Sequence, residues 1–312
     1  MQPQDGPWSA FHPGEQPEGL SWSQERRLKF IDFRLRWDGR INRTDLAEFF
    51  GISMPQASAD LARYTEAAVF NLEYDRSTKA YLRTPAFHPL YERSASRMYL
   101  AELLAVVSGV SEPEDTFVKW KPPVATVPLI GRQVEGEVLS VLLAAIREGR
   151  MLSVEYQSVA RPSFTQRVLS PHALAHDGAR WHVRAFCHAR KQFLDFVIAR
   201  IRKAELGASS AVRVAEDQEW HTEVSVRIAA HPGLAPASRQ ALEADYAMRD
   251  GILEVRCRHA MLLHTLLHYG LLAEGSSPLA QPLVVINRAE LQPFVDMLVD
   301  GLLEPPEAGR LI

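Results

Sequence analysis

The chain has 312 residues, of which 46% are apolar and 23% charged, with a net charge of −3. That length allows several domains, each with its own core. No apolar run reaches the roughly 18 residues a spanning helix needs, and no cationic start followed by an apolar stretch marks a secretory signal. The two cysteines, Cys187 and Cys257, form no metal-binding spacing. The expectation is a cytoplasmic protein with no membrane partner, no metal and no cofactor.

In chain order, the first segment (1–20) carries Pro3, Pro7, Pro13, Gly14, Pro17 and Gly19 without periodicity, and is expected to be a mobile leader. From Ser23, the stripe of Leu28, Ile31 and Leu35 predicts a helix that Gly39 stops. A second helix is predicted over Thr44 to Phe50, with Gly51 placed to end it in a left-handed conformation. The pattern Ser53-x-x-Gln56 then opens a third helix as a capping box. Asn71 to Tyr74 and Ala80 to Leu82 flank a polar turn and read as a hairpin. Three helices followed by a hairpin make a winged helix-turn-helix over residues 21–90.

In the third helix Ala57, Leu61 and Tyr64 are expected to face the core. Pro55, Gln56, Ser58 and Ala59 are then left to project toward a major groove of double-stranded DNA. Gln56 suits adenine, Ser58 either base type and Ala59 a thymine methyl. The two readings of Gln56 conflict, because an amide that closes a capping box is not free to read a base. Arg43, Arg63, Arg76 and Lys79 are assigned to phosphates, which position without specifying sequence.

Residues 91–149 read as a helical connector, with helices over Leu90 to Gly109 and Val134 to Glu148 around the proline-rich stretch Glu112 to Pro128. The two helices are candidates for a dimer seam or a transmission element, against ordinary core packing.

Residues 150–205 carry ten basic and four acidic residues, a local excess that the acidic whole conceals. Four strands are predicted: Leu152 to Gln157, Arg167 to Ala175, Trp181 to Cys187 and Phe193 to Ile198. Asp177-Gly178 suits a tight hairpin with both central residues at positive φ. Along the third strand His182 and Arg184 alternate with Trp181, Val183 and Ala185, placing an imidazole and a guanidinium side by side. The segment is expected to be a small β-barrel that holds an anion.

This segment resembles a WYL domain, whose Trp-Tyr-Leu triplet here reads Trp181-His182-Val183. The surrounding pattern is similar too: Tyr156-x-Ser158, Arg167 leading to Pro171-His172, Phe193-x-Asp195-Phe196 and Arg200-Ile201. RWHVRA together with SPH resembles the variant of regulators associated with anti-phage defence loci, including those of BREX and CBASS systems. The resemblance implies an Sm-like or SH3-like barrel that senses a phosphate-bearing nucleotide or oligonucleotide. It places Tyr156, Ser158, Arg167, His172, Trp181, His182, Arg184, Asp195 and Arg200 around the ligand, with Asp195 orienting one of the arginines.

Residues 206–312 carry eight basic and fourteen acidic residues, which argues against DNA contact and for self-association. Strands over Glu223 to Ile228, Ile252 to Arg256 and Leu283 to Ile286 alternate with helices, as in a ferredoxin-like α/β unit. His264 and His268 stand at i and i+4, but no third ligand accompanies them by spacing, and no metal is expected. The fold class is therefore α+β and multidomain: winged helix-turn-helix, Sm/SH3-like barrel and ferredoxin-like unit. The function expected is a homodimeric, ligand-responsive repressor of a phage-defence operon at a palindromic operator, not an enzyme. The rival is a metal-independent nuclease or phosphotransferase with His172 and His182 as general base and acid.

Overall fold

Ser21 Oγ accepts the Gln24 backbone amide while the Gln24 side-chain oxygen accepts the Ser21 amide, opening helix α1 (Trp22–Asp38), and Gly39 closes it at φ 73°. This computed structural model describes residues 19–128, 131–158, 163–272 and 277–303, so almost all of the leader lies outside the described residues. The chain divides into two units, Met1–Ile130 and Gly131–Ile312.

In the first unit β1 (Arg40–Ile41), α2 (Arg43–Phe50), α3 (Met54–Ala67), β2 (Leu72–Asp75) and β3 (Ala80–Arg83) follow. Gly51 ends α2 at φ 63°, the left-handed cap that its lack of a Cβ permits. The sheet order is β1-β3-β2, so the wing gains a short third strand that the sequence does not announce. Ala57, Leu61 and Tyr64 are fully buried against Leu28, Ile31 and Leu35. The segment read as a connector begins inside this core. After helix α4 (Ser96–Val107), Phe117 packs edge-on to Phe30, Phe33 and Phe49, and its amide donates to the buried Glu102 carboxylate at 2.8 Å. Burying one aromatic ring and pairing one amide fixes a stretch whose prolines suggest a tether.

The second unit begins with α5 (Gly136–Glu148), whose Val138, Leu142 and Ala145 are buried against β4 (Arg150–Tyr156), β5 (Thr165–His176), β6 (Trp181–Cys187), β7 (Gln192–Val197) and β8 (Ile201–Ser209). β8 is an unpredicted strand; its mostly exposed run of Arg202, Lys203 and Glu205 gives little apolar signal. The antiparallel sheet has the order β7-β6-β5-β4-β8. No ladder among the described residues joins β7 to β8, so the pairing is that of an open sheet where a closed barrel was expected.

The β5–β6 turn also differs from expectation. His176 pairs with Trp181, leaving four turn residues, and of Asp177 and Gly178 only Gly178 has positive φ. The Asp177 carboxylate accepts the amides of Ala179 and Arg180 at 2.9 and 2.6 Å, so a side-chain turn replaces the two-residue hairpin.

The rest of the unit is α6 (Gln218–His221), β9 (Glu223–Ala230), α7 (Pro236–Asp245), β10 (Ile252–Arg258), α8 (Leu262–His268), β11 (Leu283–Val285) and α9 (Arg288–Leu303). Its sheet has three antiparallel strands in the order β10-β9-β11. That element order differs from the β-α-β-β-α-β of a ferredoxin-like unit.

Candidate functional sites

In the first unit one buried carboxylate organises the helices. Asp32 on α1 is fully buried and accepts from Tyr64 Oη at 2.5 Å, Ser94 Oγ at 2.5 Å and the amides of Leu90 and Tyr91 at 3.0 and 3.3 Å. Burial pushes its pKa up, against the four bonds that favour the charged form. Asn71, at the root of the wing, donates to Tyr64 Oη at 3.0 Å and to the His88 carbonyl at 2.7 Å. A second buried pair, Arg27 Nε to Asp60 Oδ2 at 2.6 Å, joins α1 to α3 again. Helix α3 is thus held by polar contacts as well as by its apolar face.

At the start of α3, Pro55 and Ala59 are exposed while Gln56 and Ser58 are half-buried. Ser53 Oγ accepts the Gln56 amide at 3.3 Å, but the Gln56 side chain does not return to Ser53; its Nε2 donates to Asp60 Oδ1 at 3.2 Å. The capping box is half formed because Asp60, fixed by Arg27, offers a charged acceptor one turn away. Ser58 Oγ donates to the Met54 carbonyl at 2.9 Å, which leaves its lone pairs and no hydrogen for a ligand.

Arg43, Arg63, Arg76 and Lys79 are all exposed. Arg76 and Lys79 sit on a wing tip ordered by Asp75, whose carboxylate accepts from Thr78 Oγ1 at 2.6 Å and Ser77 Oγ at 2.7 Å. Those bonds lower its pKa to about 2.

In the second unit a cavity of about 1080 Å³ lies between the strands and the C-terminal helices. It brings together Tyr156, Ser158, Arg167, His182, Arg184 and Asp195. Three residues expected with them stand elsewhere. Arg200 lines a separate basin of about 1000 Å³ that it shares with Ser158. Trp181 is exposed and packs on His176 with ring centroids 4.8 Å apart. His172 falls where the β5–β6 register shifts between Pro171 and Ala173, and its Nε2 bonds Asp217 Oδ2 at 2.9 Å. A bulge re-aims one side chain, and here it turns an imidazole onto a carboxylate 45 residues away.

Arg184, 2% exposed, is the most heavily engaged cation of the cavity. It donates to Asp217 through Nε at 2.8 Å and Nη2 at 2.9 Å, to Glu219 Oε2 at 2.5 Å and to Asp195 Oδ2 at 3.5 Å. Burial works against both charges. The bonds from Arg184 and His172 nonetheless hold the Asp217 carboxyl well below the usual range, and Asp217, Asp195 and Glu219 hold the guanidinium charged. His182 Nε2 lies 2.9 Å from Asp177 Oδ2. Burial lowers the His182 pKa; the Asp177 bond opposes this and nearby His264 adds to it.

Sequence reasoning missed Asp217 and Glu219, which lie past the strands in the acidic segment read as a self-association surface. It also missed Arg190 and Lys191 in the β6–β7 turn and His264 on α8, which line the same cavity. The one local signal was Asp217 at an N-cap position, where it accepts the Trp220 amide at 3.1 Å.

Comparison with known proteins gives this arrangement its class. Residues 23–105 match the winged helix-turn-helix domain of the BrxR transcriptional regulator, 137–206 the WYL domain, and 223–291 the BrxR transcriptional regulator C-terminal dimerization domain. Winged helix, WYL and C-terminal domain in that order define a WYL-domain transcriptional regulator. Over 280 residues the chain is 44% identical to the DNA-binding transcriptional repressor CapW of Pseudomonas aeruginosa, covering 89% of this chain and 94% of that protein. It is 46% identical over 286 residues to CapW of Stenotrophomonas maltophilia, covering 91% and 96%. The chain belongs to the CapW family of DNA-binding transcriptional repressors. Proteasome accessory factor B/C of Arthrobacter aurescens aligns at 18% identity over 96% of this chain and 52% of that one, with a TM-score of 0.25, a similarity too weak to bear on the fold.

Proposed function

We propose that the protein is a homodimer that represses a phage-defence operon by binding a palindromic operator through its winged helices, and that a phosphate-bearing nucleotide or oligonucleotide in the β6 cavity changes that binding. The DNA-binding role rests on family membership and on the exposed start of α3 with Arg43, Arg63, Arg76 and Lys79 on the same unit. Self-association is supported by the family match of the C-terminal domain and by Leu100, Leu104 and Val107, which α4 leaves exposed.

The observation that carries the ligand reading is that Arg167, Arg190 and Lys191 line the cavity without an ion-pair partner among the described residues. An anion that also engages Arg184 competes with Asp217, Glu219 and Asp195 for its guanidinium. Asp217 and Glu219 flank the start of α6, which runs directly into β9, so their release has a covalent route into the C-terminal domain. The ligand shifts the equilibrium only by its differential affinity for the two arrangements.

We read the protein as a regulator without catalysis, acting in the cytoplasm, rather than as a nuclease. His172 and His182 each hold a separate carboxylate, and His172 does not line the cavity. Among the described residues no helix is long and apolar enough to cross a membrane.

The test is fluorescence anisotropy on the protein's own promoter with and without single-stranded oligonucleotide. Arg167→Ala is expected to keep operator affinity and lose the modulation, with the oligonucleotide recovered intact. Equal modulation in Arg167→Ala would remove the cavity from the account. Turnover abolished by His172→Ala would make the protein an enzyme.

A further inference from the structure

Asp177 in the β5–β6 turn, His182 on β6 and His264 on α8 each offer a ligand atom within 4.8 Å of the other two. We propose that these three side chains bind one divalent transition-metal ion, zinc by the chemistry of the donor set, which pins the WYL sheet to the C-terminal helices. The inference goes beyond the ligand reading and stands without it.

Two imidazoles and a carboxylate suit zinc and its neighbours, whereas magnesium and calcium take oxygen. The pair is not the i and i+4 histidines of one helix. His268 lies against the turn at Gly178, while the His264 ring stands 4.9 Å from that of His182. In a tetrahedral site with bonds of about 2.0 Å the ligand atoms stand roughly 3.3 Å apart. His182 Nε2 and Asp177 Oδ2 are already at 2.9 Å. The remaining closure is about 1.5 Å at most, which side-chain torsions can supply.

The surroundings are those of a supported site. Asp177 Oδ1 is fixed by the Ala179 and Arg180 amides at 2.9 and 2.6 Å, and Arg180 Nε donates to Oδ2 at 2.8 Å, so the carboxylate is oriented before any ion arrives. Asp195 Oδ2 lies 3.8 Å from His264 Nε2, and the charges of Asp177 and Asp195 are each shared with an arginine, Arg180 and Arg184. The His182 side chain is 5% exposed, and its Nδ1 is buried with no hydrogen-bond partner.

The test uses tag-free, chelator-treated full-length protein titrated with Co²⁺, without DNA or nucleotide, and read by visible absorption. The expected result is one four-coordinate Co²⁺ band per chain, displaced by Zn²⁺. His264→Ala should weaken Co²⁺ binding at least about 100-fold, while His268→Ala stays within about threefold of wild type. His264→Gln gives the same reading if the alanine variant melts early by circular dichroism. Absence of the band, its persistence in both His264 variants, or its equal loss in His268→Ala would overturn the proposal. The last outcome would place the ion on the helix pair instead.

Discussion

Ser58, half-buried, and Arg63, exposed, both sit on α3 and are expected to behave differently on DNA. Arg63 has a charge and no fixed partner among the described residues, so Arg63→Ala should weaken binding to every sequence and flatten the salt dependence by about one unit. Ser58 has already given its hydrogen to Met54. As an acceptor it can meet the amino group of adenine or cytosine and not the carbonyl of guanine or thymine. Ser58→Ala should therefore relax preference at one base position with little change in salt dependence, as read by competition among operator variants; unchanged preference would remove Ser58 from the interface. Asp32 sets a second residue-scale expectation. Its pKa is raised on folding, so its contribution is fully present below the unfolded value and is lost as pH rises through the folded one. Urea denaturation of wild type and Asp32→Asn should show the wild-type advantage shrinking as pH rises from about 3.8 toward neutrality. A difference independent of pH would show that Asp32 does not titrate with folding.

Among the elements, the hairpin and α6 determine whether the cavity exists. Loss of the Asp217 charge leaves the buried Arg184 with only Glu219 and the more distant Asp195, and breaking a buried pair from one side costs about 3 kcal/mol or more. Asp217→Asn should lower the stability of the second unit by that order in urea denaturation. A loss below about 0.5 kcal/mol would mean that solvent or Glu219 replaces the bond. Gly178 sits at φ 93°, and a Cβ there would meet the His268 ring at 2.1 Å. Gly178→Ala should cost about 1 kcal/mol or more, and His268→Ala should restore only part of it because the backbone strain remains; full restoration would show that contact alone sets the cost. The helices and strands of both units were largely legible in the sequence. Trp181–Cys187 is the strand its alternation predicts, and Gly39 and Gly51 stop their helices where expected. What escaped was non-local or polar. β8 hides behind charges, Asp32 reads as an ordinary helical aspartate until Tyr64 and Ser94 fold onto it, and Asp217 meets Arg184 across 33 residues. Period and propensity report local preference, whereas a buried ion pair is chosen by the tertiary fold.

At the scale of the whole molecule the charge pattern becomes mechanical. The basic excess of residues 150–205 meets carboxylates from the acidic segment that follows it, so Arg184 is satisfied internally while Arg167, Arg190 and Lys191 line the cavity without an ion-pair partner among the described residues. A single recognition helix reads few bases, and two-fold pairing doubles the readout and fixes the spacing of half-sites at about one helical turn or a multiple of it. Sedimentation velocity of the full chain on its own promoter, at about 0.15 M salt, where surface charges are screened beyond about 8 Å, tests this most directly. The account predicts two chains on one palindromic operator, preferred over unrelated DNA of equal length, with the complex weakened by Arg63→Ala. One chain per operator, or equal binding to unrelated DNA, would contradict it.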